Sequence, residues 1–215
     1  MKTNLLCCGD ESFIDFSKVE IPSLTANLSD HNLWIAVISI IFNPIFWNIV
    51  ARSEYKTHRL TSFFGSPYRG CVVLASTIIV LGIFRDWRFH LALQSQPRWF
   101  LLQQTGFLWL GYFLILTGTI LVFTSFWAMG FYATFLGDYF GLLLDDRITS
   151  FPFNIIDNPM YWGSTLNFLG TALIQCSQTG LLLTTLVAIM YKIAILYEGP
   201  FTERIYSRRY EKKLW

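Results

Sequence analysis

Charge falls along this chain in short bursts separated by long uncharged runs, and the runs have the length of membrane helices. Leu33 to Val50 is uncharged, enough to cross a hydrocarbon core of ~30 Å with little tilt. Asn43-Pro44 interrupts it. Proline removes a backbone donor and disfavours helix at the preceding residue, so this segment is either a kinked span or a helix lying within one leaflet. Arg52, Glu54, Lys56, His58 and Arg59 then predict a polar loop. Gly70 to Phe84 predicts a second span, stretched by snorkelling of Arg69 and Arg85. Arg85, Asp86, Arg88 and Arg98 mark a further interfacial loop, ending at Gln96-Pro97.

Trp99 to Gly137 carries no charge, and a helix is predicted over Phe107 to Tyr132. Gly111, Gly118 and Ser125 recur every seven residues there, a stripe of small side chains that lets helix backbones approach closely. The next apolar stretch runs from Asn158 to Tyr197, with only Lys192 charged. As one helix it would be ~60 Å long, about twice the core thickness. The polar patch Gln175 to Gly180 at its midpoint therefore predicts a turn between two antiparallel helices, Pro159 to Ile174 and Leu181 to Tyr197. Such a hairpin returns Glu198 to the membrane face that holds Asn158 and Tyr161. The expected fold is an all-α, polytopic bundle of about four to five membrane helices with a C-terminal helical hairpin. A polar segment (1–30) precedes it and a basic tail (207–215) follows.

Composition agrees: 53% of residues are hydrophobic, 18% aromatic and 14% charged, and the mean hydropathy is +0.45. An ordinary soluble domain of this size is excluded. The net charge of +2 gives no footprint for nucleic acid. The cysteines Cys7, Cys8, Cys71 and Cys176 have no metal-ligand spacing, and no metal site is expected. Cys7-Cys8 is either a palmitoylation site or an unmodified pair. Acidic residues Asp10, Glu11, Asp15 and Glu20 interrupt the N-terminal region, so it does not read as a cleaved signal peptide. Arg204, Arg208, Arg209, Lys212 and Lys213 place the C-terminus on the cytoplasmic side.

Three places along the chain carry candidate chemistry. Asp138, in Leu136-Gly137-Asp138-Tyr139-Phe140-Gly141, is either an interfacial cap or a desolvated carboxylate able to take a proton or hold a cation. Asp157-Asn158-Pro159-Met160-Tyr161-Trp162-Gly163 joins amides and aromatic rings at the start of a helix. Glu198, closing the last apolar helix, would oppose the helix dipole there unless a ligand, a lysine or an arginine offsets it.

The runs Phe42-Asn43-Pro44-Ile45-Phe46-Trp47-Asn48-Ile49-Val50-Ala51-Arg52, Phe135 to Gly141, Phe151-Pro152-Phe153-Asn154, Asn158 to Thr165 and Pro200-Phe201-Thr202 resemble the phosphatidylethanolamine N-methyltransferase family, in its small phospholipid methyltransferase branch. The resemblance covers residues from about 35 to 206. It implies methylation of phosphatidylethanolamine and its mono- and dimethyl derivatives to phosphatidylcholine, with S-adenosylmethionine as cofactor. The implied location is the endoplasmic reticulum membrane, or mitochondrial membranes. The family's Gly-x-Gly aligns with Leu116-Thr117-Gly118 and its Glu-Glu with Glu198-Gly199, so each motif keeps one of its two residues. These five positions are the implied cofactor contacts. Asp138 is the expected base, while Tyr139, Asn158, Tyr161 and Trp162 are expected to hold the lipid headgroup, in part by cation–π contact. The helix at Asn158 is also similar to an element of isoprenylcysteine carboxyl methyltransferases. A carboxyl acceptor, or a scaffold that has lost its cofactor, is therefore the alternative reading.

Overall fold

The computed structural model describes residues 26–146 and 148–213, with side chains described through residue 207. The Cys7-Cys8 pair and most of the polar N-terminal segment lie outside the described residues. Six α-helices follow one another: α1 (His31–Thr57), α2 (Arg59–Phe64), α3 (Pro67–Ser95), α4 (Thr105–Thr134), α5 (Pro159–Ile174) and α6 (Gln178–Lys213). Helices α1 and α3, the segment Thr105–Phe140 and α6 through Ser207 are each long and apolar enough to cross a membrane. The protein is an all-α polytopic membrane bundle. α5 is shorter, ~24 Å at ~1.5 Å per residue, and lies against α4 and α6.

Hydrogen bonds between distant residues define the two ends of the bundle. At one end, Gln96 exchanges hydrogen bonds with the backbone of Asn27, and Trp99 donates to the Cys176 carbonyl in the α5–α6 turn. At the other, Arg52 meets Tyr197 and Asp138 meets Thr202. Helices α1, α4 and α6 thus run toward this second, C-terminal face, and α3 and α5 run back. The hairpin expected from the Gln175 to Gly180 patch is present.

The first segment is one continuous helix, with Pro44 inside it. At ~40 Å it exceeds the core thickness. Buried Asn43 donates its side-chain amide to the Leu81 carbonyl of α3 (3.0 Å), which ties the proline turn to a neighbouring helix. Of the polar residues expected as a loop after Val50, Arg52, Glu54 and Lys56 form the last turns of α1, His58 makes a left-handed junction and Arg59 begins α2. Glu54, 1% exposed, accepts from the Leu60 and Thr61 amides (2.7 and 3.1 Å) and from the Thr61 hydroxyl, and so supplies donors at the start of α2 with an acceptor. Glu54→Ala strands those donors. The expected loss is about 1–3 kcal/mol, read as a fall of several degrees in the apparent Tm of the detergent-solubilised protein.

Residues 85–95, expected as loop, continue α3. Arg85 escapes the interface because it has internal partners. It donates to the Tyr191 hydroxyl (2.6 Å) and to Asp86 (2.9 Å), and lies 4.9 Å from the centre of the Phe168 ring. A cation within a span is stable only with such company.

Along α4, Gly111, Gly118 and Ser125 are buried, and Gly111 and Gly118 meet Gly170 and Gly163 of α5. The small stripe is a packing seam. α4 breaks at Gly130 (φ 71°, ψ 176°), a conformation that glycine adopts and other residues avoid. Beyond the break the chain folds into a 3₁₀ turn, Gly137–Phe140, held by Leu136 and Gly141 in left-handed conformations. α6 differs most from expectation. Instead of ending at Tyr197 it continues through Gly199-Pro200 to Lys213, so the basic tail begins as its last turns and Glu198 sits inside the helix.

Candidate active site

At the C-terminal face three elements converge on Glu198. Its Oε1 accepts from the Trp47 indole N–H (2.8 Å) and the Asn48 amide (2.9 Å), both on α1, and its Oε2 accepts from the Tyr161 hydroxyl (2.6 Å) at the start of α5. All three donors are neutral. Because the helix does not end here, the dipole penalty expected for a C-terminal carboxylate does not arise. What needs explaining is a half-buried acid whose hydrogen-bonding side-chain partners carry no positive charge.

The cation of the site stands apart from the acid. Arg52, one turn beyond Asn48 on α1, donates to the Tyr197 carbonyl (2.7 Å) and lies 5.5 and 5.8 Å from the Tyr197 and Phe201 ring centres. Tyr139, 1% exposed, stacks at 3.9 Å on Phe201, the ring that Arg52 also approaches. Asp138 accepts from the Thr202 hydroxyl (2.7 Å) and the Tyr139 amide (3.1 Å). The Gly130 break and the 3₁₀ turn are what carry Asp138 and Tyr139 back onto α6.

Three buried polar atoms here have no partner: Asn48 Oδ1, Arg52 Nε and the Tyr139 hydroxyl. Buried polar atoms are ordinarily hydrogen bonded, so their concentration around one carboxylate marks a place built for a polar ligand. Beside it, a Cβ added at Gly199 would meet nothing within 4 Å.

The phospholipid methyltransferase family matches residues 107–209. Phosphatidylethanolamine N-methyltransferase of Rattus norvegicus is 52% identical over 174 residues, 81% of this chain and 87% of the relative. The Homo sapiens protein of that name is 53% identical over 180 residues, 84% and 90% of the two chains. Phosphatidyl-N-methylethanolamine N-methyltransferase of Saccharomyces cerevisiae is 46% identical over 189 residues, 88% and 92% of the two. The chain belongs to the phospholipid methyltransferase family. No solved structure matches it.

In this methyltransferase the expected site residues separate into groups. Asp138, Tyr139, Tyr161, Glu198 and Gly199 come together at the C-terminal face. Asn158, exposed, begins α5 in a left-handed conformation, and its carbonyl accepts from the Tyr161 and Trp162 amides. Trp162 is 53% exposed and points away from the bundle. Leu116 is exposed on the outer surface of α4 and Thr117 is half-buried. Gly118 faces α5, where an added Cβ would stand 2.5 Å from the Gly163 carbonyl. Gly163 and Tyr161 lie on opposite sides of α5, so this helix stands between Gly118 and Glu198. Sequence reasoning did not find Trp47, Asn48 and Arg52. Their signal was two amides, an indole N–H and a guanidinium close together in an apolar span, each requiring a partner.

Proposed function

We propose that the protein N-methylates phosphatidylethanolamine and its mono- and dimethyl derivatives to phosphatidylcholine, using S-adenosylmethionine. The reaction would take place at the C-terminal face of the bundle, on the cytoplasmic side of the endoplasmic reticulum membrane or of a mitochondrial membrane. The relatives named above support an amine acceptor over a prenylcysteine carboxyl. The observation that carries the reading is Glu198, an acid ringed by neutral donors beside unpartnered polar atoms.

Those residues fit the cofactor. A carboxylate has about four acceptor positions, and three are used in Glu198. The fourth suits a ribose hydroxyl or the cofactor's amino group, and Gly199 leaves room for close approach. Of the three motif positions on α4, Gly118 serves the cofactor through α5: it lets that helix close up, which presses Tyr161 against Glu198, whereas Leu116 lies exposed on the outer surface of α4. When bound, S-adenosylmethionine supplies an electrophilic methyl on its sulfonium, which the amine nitrogen takes as the carbon–sulfur bond breaks.

The protein's own work is alignment, exclusion of water and management of one proton. An ethanolamine ammonium has no lone pair until it loses a proton, and Asp138 is the base assigned to take it. Thr202 and the Tyr139 amide hold that carboxylate in place. The rings of Tyr139 and Tyr161, with Asn158 at the rim, hold the methylammonium as it grows, worth ~0.5–2 kcal/mol per cation–π contact, while Trp162, 53% exposed, faces away from them.

The test is transfer of labelled methyl to phosphatidylethanolamine, its mono- and dimethyl derivatives and a prenylcysteine, each in mixed micelles with purified protein. Label in the phospholipids alone is expected, and label only in the prenylcysteine overturns the reading. Asp138→Asn should lower kcat by about 10²-fold or more and leave the calorimetric Kd for S-adenosylmethionine within a factor of about two. An unchanged kcat removes Asp138 from proton transfer.

A further inference from the structure

We infer that Arg52 is the residue that selects a phosphodiester headgroup, receiving the lipid's phosphate on α1 while the amine lies toward Glu198; this rests on the function proposed above. The first argument is charge separation. Glu198 is satisfied by neutral groups, and among the described residues Arg52 has no carboxylate partner, its recorded hydrogen bond going to the Tyr197 carbonyl. Two opposite charges on one face of the bundle, each bonded to neutral groups and not to the other, match a ligand that is itself a zwitterion, with anion and ammonium a few ångströms apart. Paired with each other, they would bind neither end of it.

The second argument is unused hydrogen-bonding capacity. Arg52 Nε and the Tyr139 hydroxyl are donors without acceptors, and Asn48 Oδ1 is an acceptor without a donor. A phosphodiester oxygen supplies what the two donors lack, and an ammonium supplies what the amide oxygen lacks. The guanidinium fork is suited to phosphate and is weakly hydrated, so it gives up water at low cost.

Depth and surroundings supply the third. Arg52 lies five residues before the end of α1, ~8 Å along the axis, in a helix that overshoots the core by ~5 Å at each end. It therefore stands where hydrocarbon gives way to phosphates. Along the same side of α1, Phe42, Ile45 and Ile49 are 48%, 44% and 63% exposed, an apolar track that leads to the guanidinium. Acyl chains laid on this track bring a headgroup to Arg52.

The competing occupant of Arg52 is the carboxylate of the cofactor, and the experiment separates the two. Arg52→Gln, Arg52→Lys and Tyr139→Phe are assayed in mixed micelles with phosphatidyl-N-methylethanolamine and with a phosphate-free dialkyl lipid bearing the same N-methylethanolamine group. The Kd for S-adenosylmethionine is measured beside them. In Arg52→Gln the KM for the phospholipid should rise 10–100-fold, with the phosphate-free lipid changed less than about threefold and the cofactor Kd unchanged. Arg52→Lys should recover part of the loss. Tyr139→Phe removes a hydroxyl that bonds nothing in the resting protein and should raise the same KM several-fold without lowering the apparent Tm. An unchanged phospholipid KM overturns the inference, as does an equal loss for both lipids. A raised cofactor Kd with an unchanged lipid KM hands Arg52 to the cofactor. Failure of the wild type to methylate any phospholipid would instead sink the proposed function.

Discussion

Glu198→Gln is expected to weaken S-adenosylmethionine binding by 10–100-fold while leaving the bundle folded. The substitution keeps size and shape and removes charge. One side-chain oxygen remains to accept from Trp47 and Asn48, and the new amide can donate to Tyr161, whose hydroxyl is able to turn and accept. The resting hydrogen bonds can therefore re-form. What is lost is the anion, and a hydrogen bond from a ligand to a charged acceptor is worth about 1.5–3 kcal/mol, the stated range in Kd. Calorimetry with the purified variant reads the affinity, and the apparent Tm reads the fold. Unaltered affinity at unaltered Tm would mean that Glu198 serves only to tie α1, α5 and α6 together.

That double possibility explains why the site was half legible in the sequence. The hairpin could be read because one physical constraint decides it: an apolar stretch too long for the membrane must turn, and the only polar patch within it marks where. Pro159 fixed the start of α5 by the same kind of local rule. From the turn alone it followed that Tyr161 and Glu198 share a face, and they are hydrogen bonded. The contribution of α1 did not follow. Trp47, Asn48 and Arg52 lie about 150 residues before Glu198, and nothing local says which helix a polar group in a span will find. Arg85 misled for the same reason, since a charge normally marks an interface and its partner Tyr191 is 106 residues away. The end of α6 was expected at Tyr197 because the apolar stretch stops there, yet the helix runs on through Gly199-Pro200. α6 continues because Pro200 forfeits only the hydrogen bond to Leu196, and tertiary contacts such as Tyr139 on Phe201 hold the next turn in place.

Gly118→Leu should cost the protein several degrees of apparent Tm and most of its activity, and Gly163→Leu should do the same. Each glycine lies against the other's backbone: a Cβ on Gly118 would stand 2.5 Å from the Gly163 carbonyl, and one on Gly163 would stand 2.6 Å from the Gly118 carbonyl. A flexible side chain could move aside, but a carbonyl inside a helix cannot, so α4 and α5 must separate. Overpacking of this kind typically costs about 1–3 kcal/mol, roughly 2–4 °C of Tm per kcal/mol for a chain of this length. The functional consequence runs through α5, because shifting that helix withdraws Tyr161 from Glu198. The symmetry of the pair makes the prediction sharp. If Gly118 serves the cofactor only by admitting α5, the smaller substitutions Gly118→Ala and Gly163→Ala will raise the Kd for S-adenosylmethionine by similar factors and lower Tm together. If the cofactor lies directly on Gly118, the Kd will rise in Gly118→Ala alone, at a Tm no lower than that of its partner variant, and the seam will have to be assigned a second role.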